Sequence, residues 1–87
     1  MKTRTSYAII ATTEVSPDRS EEEIVWSSFD LPTGDLEAFV GLVAEQHPLA
    51  AHFVVRRYSG KILPNISRKS VTLADFARTG GALERIS

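Results

Sequence analysis

The 87-residue chain is 43% hydrophobic and 24% charged, which fits one compact domain spanning residues 1–87 and excludes a disordered tail. It has no cysteine, so disulfides, thiolate nucleophiles and Cys-ligated zinc are ruled out. The net charge of −1 hides a division: residues 1–50 carry three basic residues against nine acids, and residues 51–87 carry seven against two. Such a contrast points to an electrostatic partner, unless the halves lie side by side and neutralise one another.

Behind Lys2 and Arg4 runs "YAIIA", shorter than the roughly 7–15 apolar residues of a secretory h-region. No run approaches the roughly 20 residues of a membrane span. The expectation is a cytoplasmic protein without membrane contact, in which the sequon at Asn65–Ser67 is silent.

Taken in chain order, "SYAIIATTEV" (6–15) alternates as a strand. Tyr7, Ile9, Ala11, Thr13 and Val15 share one face, while Ala8 and Ile10 keep the other partly apolar, as in an interior strand. Pro17 and Asp18 favour a turn, and "IVWSSFDL" (24–31) reads as a second strand. Strict alternation there puts Val25, Phe29 and Leu31 on one face and Ile24 with Trp26 on the other. A helix follows Thr33, the expected N-cap, with Asp35 and Glu37 suited to the positive end of its dipole. Leu36, Phe39, Val40 and Val43 form its buried stripe, Gly41 weakens it, and Pro48 ends it.

"AHFVVRRYS" supplies a third strand over 52–58, with Ser59–Gly60 as a turn and 61–63 as a short edge strand before Pro64. In "TLADFARTGG", Thr72 and Asp75 resemble a capping box, Leu73, Phe76 and Ala77 a helical stripe, and Gly80–Gly81 a helix stop. The expected fold class is α+β: a small, mainly antiparallel sheet of order β-β-α-β-(β)-α with one or two helices packed on one face. The third strand pairs beside the first, giving a strand order 2-1-3.

Motifs for chemistry are sparse. His47 and His52 are five apart with Pro48 between them, which suits neither helical nor strand pairing on a metal. No G-x-S-x-G elbow occurs, and "TGG" is placed to close a helix, where it cannot cradle phosphate. No metal, cofactor or catalytic residue is therefore assigned, and the expected protein is non-enzymatic.

Two charged surfaces are left. Glu14, Asp18, Glu21, Glu22, Glu23 and Asp30 form an acidic rim about the first strand connection, suited to a basic protein partner, including a nucleic-acid-binding surface that it would occlude. Arg56, Arg57, Tyr58, Lys61, Arg68 and Lys69 form the alternative, a nucleic-acid patch in the basic half. On a strand, however, Arg56 and Tyr58 face away from Arg57, so the run is not one basic face. The leading expectation is a protein-binding module of inhibitor type (anti-CRISPR-, immunity- or antitoxin-like). Trp26 serves as an apolar anchor, and a homodimer forms through the edge at the second strand or at 61–63.

Overall fold

A computed structural model describes residues 5–31, 34–59 and 69–86. It contains β1 (Ser6–Ser16), β2 (Arg19–Ser28), α1 (Leu36–Gln46), β3 (His52–Ser59), β4 (Lys69–Thr79) and β5 (Ala82–Arg85). The strands form one sheet in the order β2-β1-β3-β4-β5, and every neighbouring pair is antiparallel. β1 lies between β2 and β3 as its two apolar faces require, with α1 as the connection from β2 to β3.

The α+β expectation is overturned. Strand makes up 61% of the described residues and helix 16%, in one short segment. The expected second helix over 72–79 is the C-terminal part of β4. Gly80 and Gly81 both have positive φ (56° and 83°) and join Thr79 to its partner Ala82. That is the backbone of a two-residue type I′ hairpin loop. The pair of glycines turns a strand where it was expected to stop a helix. The strand expected at 61–63 lies outside the described residues.

One face of the sheet carries the core. Ile9, Ala11, Phe53, Val55, Ala74 and Phe76 project from it and bury against Val40, Val43 and Ala44 of α1 and Ala50 behind it. The helix begins at Asp35, whose side chain accepts from the Glu37 amide at 2.9 Å. Asp35 is therefore the cap expected of Thr33, which is outside the described residues.

Two β-bulges re-aim side chains. Ile9 pairs with Trp26 but Ile10 with Ile24, leaving Val25 as the extra residue. Val55 pairs with Ala74 but Arg56 with Thr72, leaving Leu73. An extra residue breaks strand alternation at that point. Hence Val25 and Trp26 both pack against the core, as do Leu73 and Ala74. Ile24 turns to the opposite face and is 61% exposed.

Candidate functional site

Strand register sorts the charges. On β1 and β2, Glu14 sits opposite Ser20, Thr13 opposite Glu21, Thr12 opposite Glu22, and Ala11 opposite Glu23. All four glutamates, and Asp18 in the turn, are exposed. Alternation puts Glu21 and Glu23 on the helix side of the sheet and Glu14 and Glu22 on the helix-free side. Arg19 pairs with Glu21 at 3.2 Å. Among the described residues no ion pair engages Glu14, Asp18, Glu22 or Glu23. Asp30 is not part of this group. It lies past the opposite end of β2, where its amide donates to Ser28 Oγ.

The basic residues of β3 occupy the other end of the strands. Arg56 pairs with Ala8, Arg57 with Tyr7, and Tyr58 with Ser6. Arg56 and Tyr58 share the helix-free face, and Arg56 Nη1 donates to Ser70 Oγ at 3.2 Å. Arg57 points to the helix side, so β3 offers no single basic face. Lys61 and Arg68 lie outside the described residues; Lys69 opens β4 opposite Ser59. Glu14, Asp18 and Glu21–Glu23 thus cluster at the β1–β2 turn and Arg56 and Arg57 at the far end of the strands, while Arg19 and Arg78 lie at the acidic end and Asp30 at the other. Among the described residues one ion pair links an acid of the first half with a base of the second, Arg85–Glu37 at 3.5 Å. It does not involve the hairpin.

Trp26 is half-buried on the helix side, edge-to-face with Phe39, the ring centroids 5.1 Å apart at 72°. Its strand face is therefore partly covered by α1, contrary to the alternation-based expectation.

Two polar arrangements escaped the sequence. Arg78 on β4 reaches the C-terminal end of α1. Its Nη2 donates to the carbonyls of Ala44 (2.9 Å) and His47 (3.0 Å), and its Nε to Ala50 (3.0 Å). The Ala44 and His47 carbonyls, which also accept from the His47 and Ala50 amides, lie at the negative end of the helix dipole, and the last turn of the helix has no basic residue of its own. His47 is the C-cap. His52 Nε2 bonds the Asp75 carboxylate across β3 and β4 on the helix-free face. A shallow depression of about 410 Å³ lies beside it, lined by Thr12, Glu14, Asp18, Arg19 and His52 among others. Knowing that 72–79 is a strand would have exposed both the Arg78 and the Asp75 contacts.

Among the described residues no group of three potential ligands could hold a metal, and no helix is long and apolar enough to cross a membrane. Comparison with protein-family models, curated proteins and solved structures finds no match.

Proposed function

We propose that the chain is a cytoplasmic, non-enzymatic protein-binding module that presents the β1–β2 hairpin to a basic surface of a partner protein and occludes it. The observation that carries this reading is the cluster of acids at one turn. Asp18, Glu21, Glu22 and Glu23 crowd one projecting turn, outnumbering Arg19, and Arg56 and Arg57 of β3 stand at the opposite end of the sheet. A net-acidic tip raises the encounter rate with an oppositely charged surface and orients the approach. A nucleic-acid-binding partner fits this chemistry, because its phosphate-binding arginines and lysines form the kind of surface such a tip would cover.

Capture from a host lysate, with and without nuclease, tests the reading. A protein retained after nuclease treatment and lost when Glu21, Glu22 and Glu23 are changed to Lys supports it. Rim charges act mainly on association, so the reversal should slow binding more than it shortens residence. Capture that disappears with nuclease, or that responds only to Arg56→Glu and Arg57→Glu, would indicate nucleic acid at the basic end and overturn it.

A further inference from the structure

The helix-free face of the sheet carries a largely apolar row across β2, β1, β3 and β4, continued by Ile86 just past the end of β5. Ile24 pairs with Ile10, Ile10 with Val54, and Val54 with Asp75. The Ile86 amide donates to the Asp75 carbonyl, which puts Ile86 at the end of the same row. Ile24 and Ile86 are 61% and 60% exposed, and Ile10 and Val54 are half-buried. Asp75 is the polar member of the row, and His52 engages its carboxylate. The face is charged in opposite senses at its two ends, with Glu14 and Glu22 on one side of the row and Arg56 on the other.

We propose that two copies of this chain stack these helix-free faces against each other, with strands antiparallel, into a two-layered sandwich centred on the apolar row. A two-fold axis along the row lays Ile24, Ile10, Val54, Asp75 and Ile86 of one copy over the same residues of the other, as an isologous interface requires. The same operation turns one copy end for end, bringing the Glu14–Glu22 end over the partner's Arg56 end. An axis along the strands would oppose acid to acid, so the charge pattern selects the antiparallel arrangement.

Area supports a dimer of moderate strength. Five strands about 4.8 Å apart, covered by side-chain rows about 6.7 Å apart from Glu14 to Tyr58, span roughly 24 by 27 Å. Two such faces bury about 1,300 Å², near the lower end of stable specific interfaces. The stacked dimer leaves Asp18, Glu21 and Glu23 outside but shares Glu22 with the proposed hairpin surface.

Sedimentation equilibrium of the purified chain over about 1–300 µM tests the inference, with reversible dimerisation expected within that range. Ile24→Lys and Ile86→Lys should each weaken it by about tenfold or more while circular dichroism stays native, because both side chains are largely exposed. Leu42→Lys, on the exposed side of α1 (60% exposed), should leave it unchanged. Arg56→Glu should weaken association, and adding Glu14→Lys and Glu22→Lys to that variant should recover it. A monomer throughout the range would overturn the proposal. So would loss on Ile24→Lys without loss on Ile86→Lys, which would indicate the β2 edge, or dissociation by Leu42→Lys.

Discussion

Arg78→Ala removes the side chain that joins β4 to the end of α1 by hydrogen bonds. Three donor contacts go, to the carbonyls of Ala44, His47 and Ala50, along with guanidinium packing 5.8 Å from the centroid of the Phe53 ring. A hydrogen bond to a charged group contributes about 1.5–3 kcal/mol. Arg78 is only half-buried, so water can replace part of what is lost, and about 3 kcal/mol in total is the expected destabilisation. For a domain of this size each kcal/mol lowers Tm by about 4–8 °C, giving a fall of about 12–24 °C. Urea unfolding followed by circular dichroism reads the midpoint directly. Arg78→Lys keeps the charge but cannot spread a planar fork over three carbonyls, so it should recover less than half of the loss. Arg78→Met keeps most of the packing over Phe53 and should fall close to Arg78→Ala if the hydrogen bonds dominate. A loss below about 1 kcal/mol for Arg78→Ala, or full stability in Arg78→Lys, would refute the clamp; the Lys and Met variants keep the test readable if Arg78→Ala does not fold.

Ile9 is fully buried under α1 and Ile10 half-buried on the other face, so Ile9→Ala should cost about 2–4 kcal/mol and Ile10→Ala distinctly less; equal losses in thermal unfolding would contradict the assigned faces. A methyl group added at Gly41 would meet open space, so Gly41→Ala should stabilise the helix by about 0.5–1 kcal/mol. Gly81→Ala, at φ 83°, should destabilise by about 1 kcal/mol, and the two denaturation midpoints should move in opposite directions. Asp35→Ala should remove about 1 kcal/mol of capping, recovered largely by Asp35→Ser; no change on urea unfolding would mean the cap contributes little.

The parts legible in the sequence are those where one period runs undisturbed. β1 alternates over its whole apolar stretch, and its faces fall where Ile9 and Ile10 indicate. β3 likewise sends Arg56 and Tyr58 one way and Arg57 the other. The stripe of α1 points Val40 and Val43 into the core. Misreadings cluster at the bulges. Inserting Val25 into β2 reverses the alternation, moving Trp26 under the helix and Ile24 out of it. Inserting Leu73 into β4 makes Leu73, Ala74 and Phe76 core-facing, a spacing that mimics one helical turn. Bulges depend on pairing with a neighbouring strand, and that partner is not adjacent in sequence. Charge segregation was hidden for a related reason, since only the β1–β3 register reveals that Glu21 and Arg57 belong to opposite ends.

The position of β1 also has a kinetic consequence. The hairpins β1–β2 and β4–β5 close over short connections, but β1 must also find β3, bringing Ala8 beside Arg56 from more than half the chain away. Loop closure over that distance precedes any reward from the contacts it permits. Refolding in stopped-flow should therefore be slow for a chain of this size, in the millisecond-to-second range of proteins dominated by non-local pairing. Ala11→Gly should report late contacts, whereas Gly80→Ala should slow an early step. Until β3 pairs, the far edge of β1 stays open to any strand nearby, and the acidic tip beside it keeps two such half-folded chains apart during that wait.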